Sequence, residues 1–217
     1  IGKIVSPGKK VIVKPAVLTS SKDCAPDPRV VAAVVKLARE AGGGVIVAES
    51  SGMGGRTAYN MSQIGITSAA ESAGAEVRDL DSEKDVQVKV PKGAALREVQ
   101  VYPTIRNCDV LISVPRLKRH SASTVTISLK NLMGTIPTSE KHRFHGLNLS
   151  QCIADLNTVV KSHLTVVDAI EAMARTGPTN GDMVRLNMIL ASGDPVAVDR
   201  IAPQELQNLE ENMGLSS

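Results

Sequence analysis

Lys118-Arg119-His120 follows directly on a strongly apolar run, Asp109–Val114, and is followed in turn by Lys130-Asn131, Gly134, Lys141 and His145. Lysine and histidine in one stretch suit an anionic substrate. An ammonium supplies a compact positive charge whose pKa moves when it is buried, and an imidazole exchanges protons near neutrality. Lys118, His120, Lys130 and His145 are therefore the candidate catalytic groups: the lysines neutralise an anion and a histidine handles a proton. Lys130 closes an alternating stretch, Thr124–Leu129. Read as a strand, that stretch would aim Lys130 into or beside a sheet rather than out to solvent. Asp168 comes just after the apolar run Leu164–Val167. It is the carboxylate candidate, to orient a base or to balance the lysines, because nothing local requires it.

Lys14, Ser50, Gly52, Asn131 and Lys141 are the candidate ligand-holding residues. The turn Ser50-Ser51-Gly52-Met53-Gly54-Gly55 stands between a strand pattern and a helix pattern, where backbone N–H groups can cradle a phosphate or carboxylate. It matches neither the dinucleotide fingerprint nor the P-loop. Other chemistries find less. His142 and His145 are three apart and could share a helical face, but without HExxH or a neighbouring carboxylate they specify no metal site. Cys24, Cys108 and Cys152 have no ligand spacing for zinc or an iron–sulfur cluster, and Cys108 and Cys152 read as small core residues. No GxSxG elbow is present. Asp194 reads as a helix N-cap before Pro195, and Asp199 as a surface charge on that helix. No metal and no particular cofactor is assigned.

The formal charge of the 217 residues is +3, unevenly spread. Residues 101–145 hold seven Lys or Arg against Asp109 and Glu140, so this is where an anion is expected. Two Tyr, one Phe and no Trp leave too few flat rings for stacking on bases, which argues against nucleic acid as partner. Apolar residues make up 42% and charged residues 22%, ordinary globular usage. No apolar run approaches the ~20 residues that span a bilayer.

The elements that must position these groups follow from short Val/Ile/Leu blocks bounded by turn residues. Val11–Val13, Val45–Ala48, Val110–Val114, Leu164–Val167 and Leu186–Leu190 are expected as strands of one sheet, with a further strand near Glu76–Leu80. Asp27-Pro28 marks a helix start, and the apolar face over Arg29–Ala41 is helical. Helices are also expected near Met61–Ala73, over Ser150–Lys161 with Ser150 as N-cap, and after Asp194. Asp81–Arg97 reads as a hairpin or surface excursion, and Glu98–Tyr102 as edge pairing. Strand–helix alternation implies an α/β fold: a mostly parallel central sheet with helices on both faces, in three layers. Lys14, Glu49, Lys118 and Asp168 all fall at or just past expected strand carboxyl ends, where open α/β sheets bind ligands.

Taken together these stretches resemble the DUF362 family. The likeness is carried by Lys14-Pro15, Asp27-Pro28, Pro115-Arg116-Leu117-Lys118-Arg119-His120 and Leu129-Lys130-Asn131-Leu132-Met133-Gly134. It continues through Lys141, His145, Ile153-Ala154-Asp155-Leu156-Asn157, Val166-Val167-Asp168 and Gly177-Pro178 to Ser192-Gly193-Asp194-Pro195-Val196-Ala197-Val198-Asp199. The resemblance implies no settled activity, but it does imply association with iron–sulfur proteins, since some members carry a ferredoxin-like cluster domain. This chain departs there, having only three scattered cysteines, and it has Ala16 where the family usually has Asn.

The expectation is a single α/β domain over 1–217 that binds a small anionic ligand, with its turnover left open. The alternative is a non-catalytic redox module docking to an iron–sulfur protein. Sparse cysteines favour a reducing, cytoplasmic compartment. The chain begins at Ile1, so the N-terminus is read as truncated and a removed signal peptide stays open.

Overall fold

The computed structural model describes residues 1–50, 52 and 55–215. In chain order the strands and helices are β1 (Lys10–Pro15), α1 (Pro28–Glu40), β2 (Gly44–Glu49), α2 (Thr57–Ile64), α3 (Ile66–Ser72), β3 (Glu76–Asp79), β4 (Val86–Lys89), β5 (Glu98–Val101), α4 (Pro103–Arg106), β6 (Val110–Val114), β7 (Arg116–His120), β8 (Thr124–Thr126), α5 (Ser128–Asn131), α6 (Thr138–Gly146), α7 (Leu149–Val159), β9 (Leu164–Ala174), β10 (Asp182–Ser192) and α8 (Pro195–Asn212). The five strand blocks expected from the sequence all enter one eight-stranded sheet. Its order is β3-β2-β1-β6-β9-β7-β8, with β10 paired to β9.

From β3 across to β9 the pairing is parallel, as alternating strands and helices require. The antiparallel pairs are β7–β8 and β9–β10. Valine alternation decides which way each strand faces. Val11, Val13, Val45 and Val47 pack with Val31 and Val35 of α1 and Ile66 and Ala70 of α3. Ile12, Ala48 and Leu111 pack on the opposite face with Ile153 and Leu156 of α7 and Val99 and Val101 of β5. Helices thus cover both faces. A third cluster joins Val167 and Ala169 of β9 to Val198, Ala202 and Leu206 of α8.

Local signals act where they were expected. The Asp27 side chain caps α1 with Pro28 in its first turn, and Asp194 accepts from the N–H groups of Val196 and Ala197 at 2.9 and 3.1 Å. Other expectations are corrected. The helix near 61–73 is two helices broken at Gly65, whose φ of 92° favours glycine. Asn148, not Ser150, caps α7, accepting from Gln151 N–H. Glu98–Val101 pairs not at the sheet edge but with β4, in a separate two-stranded hairpin.

Two corrections bear on the site. The stretch Thr124–Leu129 is a strand only to Thr126, and Lys130 rides on the helical turn α5. Asp168 does not end its strand, because β9 runs on to Ala174. The reason lies in β6 and β7, which form one chain path broken at Pro115. Ile112 pairs with Leu164 and Ser113 with Thr165, and Arg116 then pairs with Asp168 on the same offset. The Pro115 carbonyl accepts from Asp168 N–H at 2.8 Å. Proline has no N–H to give the ladder, so it kinks the path without ending the pairing, and β9 bulges before Lys118 meets Met173. That kink carries Lys118 past the carboxyl ends of β1 and β2.

Candidate functional site

A cavity of about 500 Å³ opens at the carboxyl edge of the sheet. Lys14 and Glu49 reach it from the ends of β1 and β2, Lys118 and His120 from β7, Lys130 and Asn131 from α5, and Lys141, His142 and His145 from α6. Ser50 and Gly52 also line it, while Ser51, Met53 and Gly54 of the expected anion-cradling turn lie outside the described residues.

The floor is a saturated ion pair. Lys14 Nζ donates to Glu49 Oε2 at 2.7 Å, to the Pro15 carbonyl at 2.9 Å and to Asn131 Oδ1 at 2.8 Å, so its three donors are spent. Glu49 also accepts from the N–H groups of Val17 and Ser50. Asn131 returns its amide N–H groups to the Lys14 carbonyl at 3.1 Å and Ser113 Oγ at 2.9 Å. Burial lowers the Lys14 pKa and raises that of Glu49, and in each case the partner's opposite charge works against the shift. Gly134 closes over this pair. A Cβ there would lie 1.8 Å from Glu49 Oε1 and 2.6 Å from Lys14 Nζ, so only glycine lets the backbone come this near.

The other lysines are differently placed. Lys118 is 2% exposed, yet it donates to a backbone carbonyl, that of Cys24, at 2.8 Å. Burial lowers its pKa to about 8, and Arg116 and Lys14 add to the effect. Lys141 donates to the Ser50 carbonyl and to Ser50 Oγ, both at 2.7 Å, and burial lowers its pKa to about 8. Since Ser50 Oγ accepts from Lys141, its own proton goes to Asp81 Oδ1 at 2.8 Å. Asp81 also gathers the hydroxyls of Tyr102 and Thr57. Lys130 has the Met133 thioether at 3.6 Å, and burial alone holds its pKa at about 8.

Both flanking imidazoles are kept neutral. His120 is lowered to about 4 by burial and by the charges of Lys130 and Lys118. Its Nδ1 accepts from Ala122 N–H at 3.0 Å, which leaves the ring proton on Nε2. His145 is lowered by burial, then by Lys130 and His142.

Of the residues singled out in the sequence, Lys118, His120, Lys130, His145, Lys14, Ser50, Gly52, Asn131 and Lys141 converge on this cavity. Asp168 does not. It is fully buried beside Arg116 at 3.3 Å and accepts from the N–H groups of Asp27 at 2.7 Å and Ile170 at 3.0 Å. These bonds tie the start of α1 to the kinked strand. The carboxylate that faces the lysines is Glu49, whose place at the end of β2 was visible but whose partner was not. Gly134, His142 and Asp81 were also missed as members of the site. Asp199, expected at the surface, instead accepts from Ser128 and Leu129 N–H at 2.7 and 3.0 Å and so caps α5. Among the described residues no cluster of three or more His, Cys, Asp or Glu could hold a metal ion, and no helix is long and apolar enough to cross a membrane.

The chain is similar to the thylakoid-associated protein sll1697 of Synechocystis sp., with 28% identity over 222 residues, covering 95% of this chain and 66% of that one. It thus spans about two thirds of that relative's length. In fold it is similar to the lactate racemase apoprotein from Thermoanaerobacterium thermosaccharolyticum, with a TM-score of 0.58 at 14% identity over 89% of this chain and 48% of that one. At that identity the likeness concerns the fold alone. A family model for a domain of unknown function matches residues 11–204, nearly the whole sheet and every lysine and histidine of the cavity, and the chain accordingly belongs to the DUF362 family.

Proposed function

We propose that the chain binds a small anion in this cavity and uses the flanking imidazoles to move a proton on it. The observation that carries the reading is an imbalance of charge. Four lysines line the cavity against one carboxylate, Glu49, and Glu49 is already paired with Lys14. Lys118 and Lys130 have no carboxylate partner among the described residues. Such ammonium groups lose hydration and repel one another, and an anion relieves both effects. In bulk water two unit charges at 4 Å interact by only ~1 kcal/mol, and partial exclusion of water raises this several-fold. Lys118 and Lys130 neutralise the ligand, while His120 or His145, neutral at pH 7, accepts a proton from it.

The test is thermal stability against inorganic phosphate and a panel of small carboxylates. Wild type is expected to be stabilised by at least one of them. Lys130→Met keeps most of the stem and removes the charge, so the fold should survive while affinity falls tenfold or more, about 1.4 kcal/mol. No stabilisation of wild type by any anion, or an equal response from Lys130→Met, overturns the reading.

A further inference from the structure

The four lysines of the cavity differ in what holds them. Lys14 has all three donors on oxygen. Lys141 is bound to both oxygens of Ser50, and Lys118 to a backbone carbonyl. Among the described residues Lys130 meets only a thioether sulfur, at 3.6 Å, a weak acceptor that gives the ammonium form little support. It stands in the cavity wall with His120 and His145 close enough for its charge to depress both. A lysine built only to hold a charge gains from oxygen acceptors. One held by a thioether, with two neutral imidazoles lining the same cavity, is placed as a nucleophile.

We propose that Lys130 condenses with the carbonyl carbon of a small oxo acid whose carboxylate lies against Lys118. This rests on the anion-binding reading and narrows it to anions that also carry an aldehyde or ketone. In the step, the ammonium first sheds a proton to His120 or His145. The Nζ lone pair then forms a bond to the carbonyl carbon and the C–O π bond opens. The nitrogen, now cationic, passes one of its two protons to the alkoxide oxygen, and the imidazolium gives its proton to the resulting hydroxyl, which leaves as water while the C=N bond forms. One ammonium and one carbonyl become one protonated imine and one water, with no oxidant or reductant consumed.

The environment of Lys130 supports this. Burial sets its pKa at about 8. About a tenth of the amine is then neutral at pH 7, against fewer than roughly one in a thousand for an ordinary lysine.

The experiment treats the whole chain with glyoxylate, the simplest anionic aldehyde, and cyanoborohydride at pH 8, followed by peptide mass spectrometry. Hydride addition to the imine leaves carboxymethyl-lysine. The expected result is modification of Lys130 at least tenfold faster than of the exposed Lys36 and Lys92, slowed by inorganic phosphate, with no such preference for neutral acetaldehyde. Lys130→Arg should lose the adduct while the exposed lysines are labelled as in wild type. Labelling of Lys130 no faster than of surface lysines, or preferential labelling of Lys118 or Lys141, overturns the proposal. If phosphate and glyoxylate raise the melting temperature while Lys130 stays unmodified, the nucleophile fails and anion binding stands. If neither anion acts and Lys130 is inert, both fail.

Discussion

Lys14 and Lys130 bring the same side chain to the same cavity, and their surroundings set them opposite tasks. Lys14 is the cation of a buried pair, and breaking such a pair typically costs 3–5 kcal/mol because the other charge is left uncompensated. Gly134→Ala should do this without touching either residue, since the new methyl would occupy the space of Glu49 Oε1. A loss of about 3 kcal/mol in chemical denaturation is expected, with anion binding abolished in any fraction that folds; a change under ~0.5 kcal/mol would show that the backbone yields there. The other buried lysines of the cavity predict a pH dependence. Lys118, Lys130 and Lys141 fall from the ordinary 10.5 to about 8 in the folded chain. Between those values the unfolded state binds more protons, so stability rises with pH, each group adding up to about 1.4 kcal/mol per unit once past 8. His120 titrates far below this window, and the Cys108 thiol, pushed up to about 11 from 9.0, opposes the rise only above 9. The melting temperature of the ligand-free chain should therefore increase from pH 7.5 to 9, and saturating anion should flatten the increase. A decrease over that range would mean that the lysines are not desolvated as described.

At the scale of elements the deciding piece is α5, only four residues long and far too short to persist alone. It is held from outside. Asp199 of α8 caps its first N–H groups, Asn157 of α7 donates to the Leu129 carbonyl at 3.1 Å, and Asn131 bonds into β1 and β6. Asp199→Ala is expected to cost about 1 kcal/mol, as the loss of an N-cap does. It should also weaken anion binding several-fold, because Lys130 is positioned by that turn. Unchanged anion affinity at reduced stability would confine Asp199 to a structural role. This turn was misread in the sequence for a physical reason: Thr124–Leu129 alternates and its first four residues are β-branched, so local preference points to a strand. The partners that override it lie in α7, α8 and the central strands, where no local pattern reaches.

The molecule as a whole is a sheet with a well-covered middle and a more open β9–β10 side. Val11 and Val13 of β1 and Ile112 and Val114 of β6 are fully buried, whereas β10 alternates between exposed and partly buried residues along most of its length. Hydrogen exchange should follow this difference, since protection tracks the free energy of local opening. Amides of β1 and β6 are expected to exchange slowest, near the rate of global unfolding, and those of β10 orders of magnitude faster. Equal protection throughout would mean that β10 is covered by something the chain meets in solution.

The sequence by itself determined the α/β class, the position of the central strands, the caps of α1 and α8, and the concentration of lysine and histidine over 101–145. These are local properties: apolar blocks of strand length, aspartate before proline, and charge density. It also brought nine of the ten singled-out residues to one cavity, because open α/β sheets collect their loops at the strands' carboxyl ends. Only the tertiary structure decided which carboxylate meets which cation. Asp168 stands 52 residues from Arg116 in sequence and Glu49 35 from Lys14. Both pairings depend on strand order, and that of Arg116 with Asp168 depends also on the kink at Pro115, which keeps the two in register and sends Lys118 on into the cavity. Strand order in a parallel sheet arises from long-range packing of helices on its faces, and residue types along the chain do not encode it locally.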